Sequence, residues 1–141
     1  MNYYAVIDTN VIVSSMLKRD SIPGMILDLI MSGTITPLLN EEIFDEYSQV
    51  LLRNKFGFNE KEVSQALNEL KAKSIYLDRE HTIEQFIDED DIVFYEIVMS
   101  ARKQMDAYLV TGNIKHFPIK NFVVTPREML DIISKNLLID L

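Results

Sequence analysis

The chain opens on a short apolar run, Tyr3-Tyr4-Ala5-Val6-Ile7, that stops abruptly at Asp8, Thr9 and Asn10. An apolar run of this length bounded by polar residues predicts a buried strand. Asn10 to Leu17 suits a helix, so Asp8 falls where a strand hands over to a helix. Lys18–Ser21 is a polar connector. Ile22-Pro23-Gly24 opens a second helix with proline at a permitted first-turn position; Met25, Ile26, Leu29 and Ile30 are its apolar set, and Gly33 stops it. Thr34–Leu39 predicts strand two, with Pro37 marking one side as exposed or irregular.

Asn40 predicts an N-cap, with Glu41 and Glu42 in the first turn where the helix dipole favours acids. This helix runs to about Arg53 on an apolar stripe of Ile43, Tyr47, Val50 and Leu51, while Glu42, Glu46 and Gln49 share another side. Phe56-Gly57-Phe58 is a turn. Asn59 with Glu62 forms a capping box for a helix to about Lys73, so residues 40–73 form a helical hairpin. Ser74–Leu77 is a short third strand, and Arg79–Ile87 a loop or short helix. Asp88-Glu89-Asp90-Asp91 then precedes a helix from Ile92 to about Lys103. Ala107–Thr111 predicts strand four, ending in Gly112-Asn113, and Asn121–Val124 a fifth. Thr125-Pro126-Arg127-Glu128 starts the last helix with a cap, a first-turn proline and an acidic reply; it reaches about Asn136, with a fraying tail. Strands alternating with helices predict an α/β fold with a mainly parallel sheet.

At 141 residues the chain is expected to form one domain with a real core. No apolar run has the length of a membrane span and no signal-peptide pattern is present, so no membrane contact is expected. The absence of cysteine removes disulfides and thiolate metal sites and fits a cytoplasmic protein. The net charge of −8 is opposite to that of proteins that bind nucleic acid by neutralising phosphate. Three partners survive it: a ligand other than nucleic acid, a basic protein, or a phosphate reached through a metal held by gathered acids.

The acids recur near element junctions: Asp8, the Glu42/Glu46 helix face and the Asp88–Asp91 cluster, with Thr111 and Asn113 at a further strand end. An all-oxygen donor set suits a hard cation such as Mg²⁺ or Mn²⁺, and Mg²⁺ takes only one or two carboxylates directly. Clustered carboxylates otherwise raise one another's pKa. Each residue also has a plainer role. Asp8 and some of Asp88–Asp91 could cap helices, Glu46 alone is a solvated charge, and Asn113 suits a turn. His116 reads as a surface-loop histidine, His81 has no evident partner, and Tyr3 and Tyr4 read as packing residues.

Five blocks in order carry a resemblance: Val6–Ser14, Leu39–Tyr47, Asp88–Asp91, Asp106–Asn113 and Val124–Glu128. Together they resemble the PIN-domain family, in particular its branch of toxins from toxin–antitoxin systems, akin to VapC toxins. The resemblance implies a PIN-like domain with a sheet of four or five mainly parallel strands flanked by helices and a projecting helical hairpin. It implies an endoribonuclease that cuts RNA with Mg²⁺ or Mn²⁺. Carried over by position, Asp8, Glu46 and Asp91 match the family's catalytic, metal-holding acids, with Asp88 and Asp90 as weaker neighbours. Thr9, Asn10 and Thr111 match residues that support the acids. Asn113 departs from the pattern, because an acid usually stands there; an amide oxygen can still coordinate but brings no charge, which weakens the case for a second metal. The hairpin resembles an arm used for homodimer or antitoxin contact. Two rivals stand beside this: a PIN-like module that binds RNA or protein without cutting, and a phosphotransferase using Asp8 as nucleophile, against which Asn10 occupies the place of the usual second acid.

Overall fold

The structure, a computed structural model, describes residues 2–140. Its elements run β1 (Tyr3–Ile7), α1 (Thr9–Leu17), α2 (Ile22–Met31), β2 (Ile35–Leu39), α3 (Glu41–Leu51), α4 (Glu60–Lys73), β3 (Ile75–Tyr76), α5 (Ile92–Arg102), β4 (Ala107–Val110), β5 (Val123–Val124) and α6 (Pro126–Asp140). The five strands form one parallel sheet in the order β3-β2-β1-β4-β5, flanked by the six helices, as the alternating pattern predicts. Being covered by helices, the strands carry near-continuous apolar runs: Ala5, Val6 and Ile7 in β1 and Leu109 and Val110 in β4 have no exposed surface.

Local signals set the element ends. Asn40 Oδ1 accepts from the Ile43 N–H at 2.9 Å, and Asn59 Oδ1 from Lys61 and Glu62. Thr125 and Glu128 form the reciprocal capping box: the Thr125 N–H donates to Glu128 Oε1 at 2.9 Å and the Glu128 N–H to Thr125 Oγ1 at 3.1 Å. The last helix continues beyond Asn136 to Asp140; the end of the expected fraying tail, Leu141, lies outside the described residues.

The side of β2 that Pro37 marks is irregular, as expected, although the residue itself is buried. It is tolerated inside the sheet because β3 reaches only Leu38 and Leu39 of β2, so the missing N–H faces no neighbour on that side. The 40–73 hairpin is present, but it does not stand clear of the body. Val63, Leu67 and Leu70 of α4 are buried, and α4 packs on α2, α3 and β2.

One buried bond ties α3 to the central strand. Tyr47 is almost fully buried and donates its hydroxyl to the Ile7 carbonyl. Tyr47→Phe deletes that donor and little else. It is expected to lower stability by about 1 kcal/mol, seen as a melting-point drop of a few degrees; an unchanged melt would remove this bond from the anchoring of α3.

Candidate active site

The sheet order places the site. From β1 the chain builds outward through β2 and β3, then crosses back to lay β4 on the other side of β1. In such a sheet the carboxyl ends of the two strands at the reversal flank a crevice. Asp8 follows β1 there and Thr111 follows β4. The Asp8 N–H donates to the Val110 carbonyl at 2.9 Å, which fixes the acid to the neighbouring strand end. Although Asp8 stands at the N-cap of α1, its carboxylate makes no capping bond. Its Oδ2 instead accepts from Thr111 Oγ1 at 2.7 Å and Asn10 Nδ2 at 3.2 Å. Asp8 is only 6% exposed, and this burial raises its pKa above the ordinary carboxylate value against the lowering effect of the Thr111 bond.

Glu46 reaches in from α3. Ile43, Tyr47 and Leu51 bury one face of that helix, leaving Glu46 half-buried at its margin. Thr9 Oγ1 donates to Glu46 Oε2, so the first residue of α1 holds a carboxylate of α3. Burial raises the Glu46 pKa, the Thr9 bond opposes this, and the charges of Asp8, Asp90 and Asp88 add to it. Glu42, four residues earlier, is not part of the site: Arg79 Nη1 holds it at 2.7 Å.

The third acid arrives on a 3₁₀ turn, Glu89–Asp91, that leads into α5. Asp88 caps this turn, its Oδ1 accepting from the Asp90 N–H at 2.9 Å. Asp91 Oδ2 is buried and has no hydrogen-bond partner. His116 Nδ1 lies 3.3 Å away, an ion pair when the imidazole is protonated. Burial first, then the charges of Asp8 and Asp88, push the Asp91 carboxyl up to about 6, against the lowering influence of His116. A buried carboxylate oxygen without a completed hydrogen bond costs free energy, which a charged His116 or a cation in the notch would offset.

These side chains line one open notch of about 380 Å³, together with Asp88, Asp90, Asn10, Asn113, Arg53, Phe56 and His116. At ~30 Å³ per water it has room for about a dozen waters, enough for a hydrated cation and a phosphate. Thr111 lies beneath, fully buried. Asn113 is exposed; its N–H bonds to Thr111 Oγ1 at 2.9 Å while its amide makes no capping bond. Six lining residues are unexpected at the site: Val13, Ser14, Val50, Arg53, Phe56 and His116, the last expected on a surface loop. A larger cleft, about 580 Å³, opens beside β3 along Asn40–Glu42 and Tyr76–Arg79, but it collects none of the strand-end acids. Two of its three carboxylates are paired, Glu42 with Arg79 and Glu41 with Lys71 at 3.9 Å, while Asp78 has no ion pair among the described residues. His81 and the Tyr3/Tyr4 pair also lie outside the notch; Tyr3 is buried and its hydroxyl accepts from Asn136 at 3.0 Å.

Among the described residues, no three His, Asp or Glu side chains stand close enough to hold one ion between them. A cation in the notch would thus touch at most one or two carboxylates and need water to reach the others, a manner of binding that Mg²⁺ allows. Among the described residues no helix is long and apolar enough to cross a membrane.

An uncharacterized protein of Methanocaldococcus jannaschii is 29% identical over 146 positions, covering 92% of this chain and 91% of its own length. No solved structure gives a significant match. The family model described as PIN domain matches residues 4–115, which spans Asp8, Glu46, Asp91 and Asn113. With well over half of its length matched, the chain belongs to the PIN domain family, whose members share a nuclease-type fold, are generally hydrolases and typically bind divalent metals.

Proposed function

We propose that this protein is a metal-dependent endoribonuclease that hydrolyses RNA phosphodiester bonds, and that it serves as the toxin of a toxin–antitoxin pair. The observation that supports the nuclease assignment is the gathering of Asp8, Glu46 and Asp91 in one notch, with Asp91 Oδ2 buried and only His116 Nδ1, 3.3 Å away, beside it. The toxin assignment rests on the likeness of the five sequence blocks to that branch of the family, and an acidic chain of net charge −8 suits a basic antitoxin.

In this mechanism Asp8, Glu46 and Asp91 would hold the cation, directly or through water, and Asp88, Asp90 and Asn113 would lend weaker support. When bound, a divalent ion supplies polarisation of the phosphate and acidification of the attacking water. Thr111 and Asn10 both donate to Oδ2 of Asp8 and so fix the orientation of its carboxylate. Thr9 fixes Glu46 through one oxygen and leaves the second free. These outer bonds orient ligands in the way that supporting residues do in metal sites generally.

The test is cleavage of a single-stranded RNA oligonucleotide in Mn²⁺ or Mg²⁺, with EDTA as control. Cleavage that stops with chelation is expected. The same ions at a hundredfold excess over Kd should stabilise the native state by about 2.7 kcal/mol, a rise of several degrees in Tm. No rise at millimolar Mn²⁺ would count against the cation site. Growth arrest on expression, relieved by a co-expressed partner, tests the toxin role. The second reading, an RNA- or protein-binding module that does not cut, is favoured by Asn113 standing where the family has an acid. It predicts RNA binding with no metal-dependent cleavage.

A further inference from the structure

Arg53 is the only lysine or arginine lining the notch among the described residues, and it shares that lining with Asp8, Glu46 and Asp91. Its guanidinium is exposed and makes no ion pair or hydrogen bond with any described residue. Arg19, Arg79 and Arg102, by contrast, each hold a carboxylate.

Arg53 lies where α3 ends and a 3₁₀ turn, Asn54–Phe56, begins. The Phe56 N–H donates to the Arg53 carbonyl at 3.1 Å. Arg53 is the extended cap of that turn and Phe56 its last residue, and both line the notch. Gly57, at φ +66°, ends the turn in a conformation that disfavours side chains. The Phe58 ring then stacks on Phe56 with centroids 5.8 Å apart, and Lys55 Nζ lies 5.1 Å from the Phe56 ring centre.

We infer that Arg53 and Phe56 form the substrate-positioning wall of the notch, taking a phosphate and an unpaired base of single-stranded RNA. The inference rests on the ribonuclease reading above. The notch is strongly acidic, and screening confines charge effects to about 8 Å at physiological salt. Distant lysines therefore do little to draw a polyanion into it, and a cation on its own rim does. A guanidinium pairs with phosphate through two parallel bonds. An aromatic face with adjacent cations is the surface that single strands use, because every base can stack while a duplex keeps its bases covered. Arg53 thus guides the strand to the acids, and Phe56 selects for unpaired RNA.

The experiment is Mn²⁺-dependent cleavage of a single-stranded RNA oligonucleotide by the parent, Arg53→Gln, Arg53→Lys, Phe56→Leu and Phe56→Tyr, with the Mn²⁺-induced Tm shift measured on each. Arg53→Gln should raise KM roughly tenfold with kcat nearly unchanged, as expected for loss of a charge-assisted contact. It should also flatten the dependence of log kcat/KM on log salt by about one. Arg53→Lys should restore the salt slope but not the full KM. Phe56→Leu should raise KM about tenfold, the size of one lost stack, and Phe56→Tyr should rescue it. All five proteins should keep the same Mn²⁺ shift. A parent that cleaves while Arg53→Gln and Phe56→Leu match its KM and salt slope overturns this inference alone. A loss confined to kcat does the same. A parent that cuts no RNA brings down the ribonuclease reading and this inference together.

Discussion

Asp8→Asn is expected to abolish RNA cleavage while leaving the fold intact and the metal-free protein at least as stable as the parent. The amide has the same shape as the carboxylate and can still accept from Thr111 Oγ1. What it removes is a negative charge that is 6% exposed and that burial already disfavours. Removing that charge relieves desolvation and lowers the repulsion felt by Glu46 and Asp91, whose carboxyls are both raised by it. Activity moves the other way. Changing residues that merely support a metal ligand costs ~10–100-fold, so losing a ligand should cost more. The Mn²⁺-induced rise in melting temperature should shrink in the same variant. Cleavage at a near-parental rate by Asp8→Asn would falsify its place at the centre of the site.

The second large effect is a pH-dependent stability difference between the parent and Asp91→Asn. The Asp91 carboxyl titrates near 6 in the folded protein against an ordinary 3.8, so the folded state holds this proton more tightly than the unfolded state. A raised acid of this kind contributes stability that is present below about pH 4 and is lost as the pH climbs through 6. At 1.36 kcal/mol per pKa unit, and with the shift shared among neighbouring acids, the loss is about 1–3 kcal/mol. Asp91→Asn does not titrate, so without divalent ions its advantage over the parent should grow from pH 4 to pH 7 and then level off. Saturating Mn²⁺ should erase or reverse that advantage, because only the carboxylate attracts the ion. Cleavage by the parent should fall as the pH drops below 6, since protons and cation compete for the same oxygen. Denaturant melts at several pH values, with and without Mn²⁺, measure all of this; a difference that stays flat from pH 4 to 7 would show that Asp91 is not strained.

The sequence made most of the scaffold legible because its signals are local. The apolar run Tyr3–Ile7, the caps at Asn40 and Asn59 and the reciprocal pair Thr125/Glu128 each act within a few residues, and all appear where expected. Asp8 stands out because it follows β1 directly, whereas Glu46 and Asp91, like the supports Thr9, Asn10 and Thr111, stand out because a family pattern marks their positions. The misses are residues whose role is set by distant neighbours. His116 meets Asp91 only because β4 lies beside β1 and the turn after it folds over α5. Arg53 and Phe56 reach the notch through a single 3₁₀ turn, too short for any periodicity to show. Residues 79–87 form neither helix nor strand, because Glu96, a lone acid in the apolar run of α5, is buried and takes both Arg79 Nε at 2.6 Å and the Thr82 N–H at 2.7 Å. That isolated charge was the available clue.

The pairing of β1 with β4 has a consequence for biosynthesis. The bond from Thr111 to Asp8 closes a loop of 103 residues, so the first acid waits for a strand that leaves the ribosome long after it. Such long-range pairings form slowly and late. A nascent chain that has emerged only as far as α5 carries all three acids but lacks the strand that seats the first of them. On the ribonuclease reading proposed above, such a partial chain would lack the seated first acid that cleavage needs.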